Sequence, residues 1–358
     1  MVKMLSVFGI LLVLLPNVAY CNNSVSDKKL ILSGKKAFKQ KKLNKLIRLK
    51  NSSSNEGLNQ WFDYWSIKLK IEKNPFDKSI KTDLDKFSKQ KKLKFLAKEC
   101  YRYWAHEIIK KGNWEKTILN IAYIKKVFPE STSKSIQCVN YLSNPTHTLP
   151  DIIKLTSGEE FRIGCLKLIM FAIDKGLANR GYILSSARSA AINGKMSHAQ
   201  KILEFAKNNN LFFPPTEYKL LRVLAVSQKN SLRAFRRLKL IESVLTNEQK
   251  SFASMVVGSA LLGITHPSAF SLVKKGINSV KQQPVQILES SARVALRYGD
   301  WNLLKVIIES FPLKIKKLPT WKYWQAQSLL VEGKKSESGK LLDSINPPWS
   351  FYGMLSGE

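Results

Sequence analysis

The stretch SARVALRYGDWNLLKVII, residues 291–308, decides how this chain folds. Val294 and Leu296 belong to a helical pattern that stops at Gly299, and Asp300 with Trp301 starts another. Glycine suits the left-handed residue that closes a helix, and aspartate accepts the free N–H groups of the next helix's first turn. A tryptophan in that turn can lean back across the hairpin. The same punctuation occurs earlier, where the helix holding Tyr101, Tyr103, Trp104 and Ile108 ends at Gly112 and Asn113 with Trp114 begins the next. Weaker copies lie at Gly194, with Ser197 as cap and Ala199, Ile202 and Leu203 as packing face, and at Gly333, with Ser336 as cap. Helix hairpins punctuated alike, with no dense apolar segment to serve as a single centre, predict an all-α solenoid of stacked antiparallel helix pairs, a horseshoe or a ring. The period is not constant, so no named repeat family is assigned.

Away from these turns the helical pattern continues almost everywhere, and no alternating β-branched run is closed by Asn-Gly or Asp-Gly. Residues 29–49 read as a helix pair broken at Gln40 and Lys41, with Leu30, Leu32, Phe38, Leu43 and Leu46 facing inward. After a polar break at 51–57, Trp61, Tyr64, Trp65, Leu69 and Ile71 recur at helical spacing until Asn74 and Pro75 stop the helix. The next helices carry Leu84 and Phe87, then residues 93–110. Residues 140–158, rich in Pro, Thr, Ser and Asn, read as a loop-bearing insertion, and Phe212 to Thr216 as a second break where a subdivision near 210–216 would fall.

Residues 1–21 read as a signal peptide: a basic start at Lys3, an apolar run from Leu5 to Leu15, then Pro16 and the small residues before a cut near Cys21. Bulky Tyr20 argues against acylation of Cys21. The remainder, 22–358, is expected to be one helical scaffold on the far side of a membrane, without a transmembrane anchor and in the periplasm. Lys and Arg number 59 against 26 Asp and Glu, a formal net charge of +33. Such charge suits nucleic acid or an acidic surface. Export, and the absence of a recognition helix or an RNA-stacking motif, argue against nucleic acid. Lysine decorating solvated helix faces accounts for the charge, and it would favour adhesion to an anionic polymer such as peptidoglycan. Of the cysteines, Cys138 and Cys165 lie in loop-flanked stretches and form the expected disulfide, while Cys100 reads as a small core residue. His106, His147, His198 and His266 are scattered, and no spacing indicates a metal or a cofactor.

The chain resembles the soluble lytic transglycosylases. Trp61 to Leu69, Leu84 to Phe87, and Tyr101 through Gly112 to Trp114 look like that family's early aromatic helices. Leu288, Glu289, Arg293, Ala295, Leu296, Arg297, Gly299, Asp300 and Trp301 resemble its late helix turn. Trp321, Lys322, Tyr323, Trp324, Gln325 and Ala326, followed by Phe351, Tyr352 and Gly353, are similar to its aromatic helix and closing Phe-Tyr-Gly segment. Cys138 and Cys165 sit where related chains often carry cysteines.

The resemblance implies a helical superhelix that in the family precedes a lysozyme-like domain. There one glutamate serves as acid and then base, so a second carboxylate is not needed. In this family that glutamate is followed by Ser; Glu242, Glu289 and Glu309 precede serines here, but each falls in a scaffold helix, so no catalytic residue is carried over. Trp61, Trp65, Trp104, Trp114, Trp301, Trp321 and Trp324 stand at packing positions and are expected to hold helices together rather than stack sugars. The expectation is a non-catalytic, peptidoglycan-associated scaffold, truncated or split from its catalytic domain. The alternatives are a solenoid that binds another envelope protein, and a chain that itself acts as a lytic transglycosylase in peptidoglycan turnover.

Overall fold

The structure is a computed structural model that describes residues 24–90, 94–129, 133–143, 146–156 and 163–357. The signal-peptide reading and Cys21 fall outside these residues. Among them there is no strand, and the fold is all-helical. The chain divides into two compact units, residues 1–132 and 133–358. The 212–216 break lies inside the second.

The first unit holds α1 (Ser24–Lys39), α2 (Leu43–Asn51), α3 (Glu56–Lys73), α4 (Lys78–Ser88), α5 (Lys94–Lys111) and α6 (Trp114–Val127). Its first core joins Ala37, Leu46, Phe62, Trp65 and Leu69, with Trp61 and Tyr64 packed around them. Gly34 lets α1 meet α3 closely: a β-carbon there would stand 2.4 Å from Phe62 Cε1 and 2.8 Å from Trp65 Cζ3. Leu30, Phe38, Leu43 and Leu46 face this core, but Leu32 is exposed. Helical rotation explains the correction, since Leu32 lies about 200° around α1 from Gly34, on the opposite face. Further along, Ile80, Leu84, Tyr101, Trp104, Ile108, Ile121 and Ile124 are buried.

The second unit begins with α7 (Lys134–Tyr141), α8 (Leu149–Thr156) and α9 (Ile163–Asp174). Within the segment read as a loop-bearing insertion, Leu149–Thr156 forms a helix. Pro150 sits in the first turn of α8, where its missing N–H costs nothing. Ile152 then anchors that helix in the core. The unit continues with α10 (Arg180–Ile192), α11 (Met196–Asn208), α12 (Pro215–Ser227), α13 (Ser231–Ile241), α14 (Asn247–Leu261), α15 (Ser268–Lys275), α16 (Val285–Arg297) and α17 (Trp301–Glu309). It ends with α18 (Leu313–Lys316), α19 (Pro319–Val331), α20 (Lys335–Asp343) and α21 (Phe351–Leu355).

Each hairpin packs on itself and on the next. Helices α10, α12, α14 and α16 touch one another in sequence, and α11, α13, α15 and α17 are their respective hairpin partners. One apolar core runs through the stack from Cys138 to Trp321. This layered arrangement is the stacked-pair fold expected from the turns.

The turns share a backbone device. At Gly299 (φ 65°) the N–H donates to Leu296 O, and the N–H of Asp300 donates to Ala295 O. These paired bonds satisfy the last carbonyls of α16. The same pair closes helices at Gly176, Gly194 and Gly333, and also at Lys41, Asn210 and Thr265, which take the left-handed conformation without glycine. Gly112 (φ 77°) uses a single bond to Ile108 O. Asn113 and Asp300 then cap their helices, accepting from Lys116 N and Leu303 N. Ser197 and Ser336 do not act as caps. The N-cap follows the left-handed residue directly, so Lys195 and Lys334 occupy it without a side-chain bond, and each serine lies inside the first turn.

Candidate functional site

The C-terminal aromatic segment was the strongest motif in the sequence. Pro319 opens α19, and Trp321 two residues later is 1% exposed, packed on Phe311. Its Nε1–H donates to Glu289 Oε1 on α16 at 3.1 Å, and the Arg293 guanidinium lies 5.7 Å from its ring centroid. Trp324 is partly buried beside Tyr323, which also meets the Tyr352 ring. Phe351 and Tyr352 open α21, capped by Ser350 through Gly353 N. Gly353 is required by space: a β-carbon would fall 2.4 Å from Pro347 O and 2.6 Å from Pro348 O. Phe351 itself is exposed, as are Trp349 and Met354. Trp349, 79% exposed, did not stand out in the sequence because it lies in a Pro-rich turn rather than in a periodic helix.

Trp104 and Trp65 are buried between helices. Trp104 is 1% exposed and donates to Pro75 O at 2.7 Å. Trp65 is buried between Phe38 and Phe62, with Trp61 partly buried at its side. Trp301 is only partly buried against the core. Trp114 opens α6, and its side chain lies outside the described set.

Of the glutamates that precede serine, Glu242, Glu289 and Glu309 are each placed in the helical framework, and so is Glu337 in α20. Glu242 is ion-paired with Lys275, Glu289 receives the Trp321 indole, and Glu309 ends α17, where its carbonyl accepts from Lys316.

Cys138 in α7 and Cys165 in α9 are joined by a disulfide across 27 residues of sequence. Cys100 is buried and free, and burial pushes its thiol up to about 12. Of the histidines, His147 packs on Tyr141 and Phe171, and His266 packs on Phe235 and accepts from Ser268 N. His198 is held below its ordinary value by burial and by Lys195 and Lys201. Among the described residues no group of three or more His, Cys, Asp or Glu could hold a metal, and no helix is long and apolar enough to cross a membrane.

Two further constellations were not singled out in the sequence. Arg188 on α10 is 3% exposed and donates in bidentate fashion to Glu217 on α12, at 2.7 and 2.9 Å. It also donates to both oxygens of Glu248 on α14, while Gln249 Nε2 donates to Glu217 Oε2 at 2.8 Å. Burial alone would lower the guanidinium's pKa, but the hydrogen bonds and charges of Glu217 and Glu248 raise it above its ordinary value. The second is an open groove of about 1250 Å³ in the first unit, lined by the α1–α2 turn, α2 and the end of α3.

No family model matches the chain. Over 79 residues it is 29% identical to the soluble lytic murein transglycosylase of Escherichia coli strain K12, a match covering 22% of this chain and 12% of that protein. The Salmonella typhimurium protein of the same name matches equally. The resemblance to the soluble lytic transglycosylases read from the aromatic motifs is thus also found by direct sequence comparison. A solved structure of an inactive mutant of the lytic transglycosylase Slt of Pseudomonas aeruginosa aligns with 92% of this chain and 57% of its own, at 14% identity and a TM-score of 0.38. The 70 kDa soluble lytic transglycosylase of Escherichia coli aligns with 93% and 57%, at 16% identity and a TM-score of 0.34. The chain therefore spans little more than half the length of these solved relatives.

Proposed function

We propose that this chain is a peptidoglycan-associated helical scaffold of the periplasm, related to the soluble lytic transglycosylases, and that it does not itself supply the bond-breaking acid. The observation that carries this reading is the match to a soluble lytic murein transglycosylase, supported by Glu289, which accepts from the buried Trp321 indole, and Glu242, which is ion-paired with Lys275. The N-terminal signal-peptide pattern supports export. The Cys138–Cys165 bridge supports an oxidising compartment. A net charge of +33 favours adhesion to an anionic wall polymer.

The test is incubation of the mature protein with purified peptidoglycan, followed by mass spectrometry for anhydro-muropeptides. Co-sedimentation with insoluble peptidoglycan at low and high salt runs beside it. The expected result is salt-sensitive pelleting without anhydro products; appearance of those products would make the chain an enzyme and sink the scaffold reading. A second reading, a solenoid that binds another envelope protein, is favoured by the exposed Trp349, Phe351 and Met354. It predicts no pelleting at low salt.

A further inference from the structure

The groove in the first unit differs from the lysine decoration around it. Lys50 of α2 and Lys70 of α3 are neutralised by Asp63 and Asp83. In the groove wall, Lys41 pairs with Glu72, but Lys42, Lys45, Arg48 and Lys73 have no acidic partner among the described residues. Five cations thus face one carboxylate across a single concavity. Helix α2 adds to this field, because its N-cap is Lys42 and no side chain caps it, leaving the positive end of the helix open. The lining also includes apolar Leu43, Leu49 and Leu69, with no aromatic residue.

These features select a ligand. A volume of about 1250 Å³ exceeds the roughly 300–1,000 Å³ of small-molecule pockets, so the open groove suits a polymer segment. Ammonium groups act as point charges suited to separated carboxylates. Single-stranded nucleic acid is disfavoured because its recognition relies on aromatic stacking, which the lining does not offer. We infer that this groove binds the carboxylate-bearing stem peptides of peptidoglycan, an inference that rests on the wall-association reading above.

The experiment uses the full mature chain and a variant carrying Lys42→Gln, Lys45→Gln, Arg48→Gln and Lys73→Gln, all exposed positions whose replacement leaves the core intact. A control carries Arg233→Gln, Arg236→Gln, Arg237→Gln and Lys239→Gln on α13, removing equal charge from the second unit. Each is pelleted with peptidoglycan and with peptidoglycan whose carboxylates have been converted to amides. The expected result is at least a tenfold loss of affinity for the groove variant, a similar loss for the parent chain on amidated wall, and little change for the control. Equal losses in both variants would reduce the effect to bulk charge, and an unchanged groove variant would remove the groove from binding; either overturns the inference while leaving wall association standing. If the parent chain fails to pellet at all, the wall reading fails. Soluble poly-glutamate then decides the groove alone: binding lost only in the groove variant retains it as a carboxylate site, and no binding overturns it.

Discussion

Replacing Arg188 with methionine would leave Glu217, 1% exposed, as a buried carboxylate without its counter-charge. Breaking a buried pair from one side costs about 3–5 kcal/mol, because the remaining charge has lost both water and partner. Three helices meet at this guanidinium, so the loss falls on the contacts of α10 with α12 and α14. For a unit of this size, about 2–4 °C of melting temperature corresponds to each kcal/mol, so the second unit should melt about 6–20 °C lower. Glu248 provides the internal control. Its side chain is 44% exposed, so Glu248→Gln should cost no more than about 1 kcal/mol. Replacing both Arg188 and Glu217 by methionine should recover most of the loss, since an apolar pair of similar volume avoids the desolvation cost. Urea unfolding followed by far-UV circular dichroism, on the parent, the variants Arg188→Met, Glu217→Met and Glu248→Gln, and the double variant, measures these losses and closes the Arg188–Glu217 cycle. The reasoning is refuted if Arg188→Met and Glu248→Gln cost the same, or if the double variant is no more stable than Arg188→Met.

Gly34→Ala should destabilise the first unit by about 1–3 kcal/mol, since Phe62 and Trp65 would have to shift; an unchanged melt would mean that α1 can move away freely. Trp104→Ala should cost about 3–5 kcal/mol, and Trp301→Ala less, because Trp301 is only partly buried; thermal melts giving the reverse order would contradict the burial described. Reducing the Cys138–Cys165 bridge should lower stability by about 3–4 kcal/mol on loop-closure grounds, measurable by melting with and without dithiothreitol. Cys100, with its thiol pushed above 9.0 to about 12, should resist iodoacetamide in the native protein at pH 8 and react fully in denaturant, as read by peptide mapping. Its folded pKa lies above the unfolded one, so its contribution to stability is complete below about pH 9 and is lost as pH rises towards 12.

The helix hairpins were legible where two signals coincide, a glycine and a directly following Asn or Asp, as at Gly112 and Gly299. The break at Lys41 was read, but its left-handed closure, like those at Asn210 and Thr265, was not, because a left-handed turn held by two backbone bonds carries no obligatory residue type. The misplaced caps at Ser197 and Ser336 come from weighting side-chain preference over the geometry that follows such a turn. The short helix α8 was hidden by Pro150, whose meaning depends on whether it begins or interrupts a helix. Arg188 and its carboxylates lie 29 and 60 residues apart in sequence on three different helices, so local pattern could not join them. The basic groove had a visible trace in the run KQKKLNKLIRLK at residues 39–50, but only the fold separates its unpaired charges from Lys41 and Lys50, which pair with Glu72 and Asp63 of α3.

The nearest-neighbour stacking in the second unit has a mechanical consequence. A helix pair there is held by the pair before it and the pair after it, so a pull on one end loads one layer at a time rather than the whole core. Such a body should yield in small steps, peeling pair by pair like a spring losing coils. The Arg188 clasp, spanning three successive layers, should be the point at which the yielding pauses.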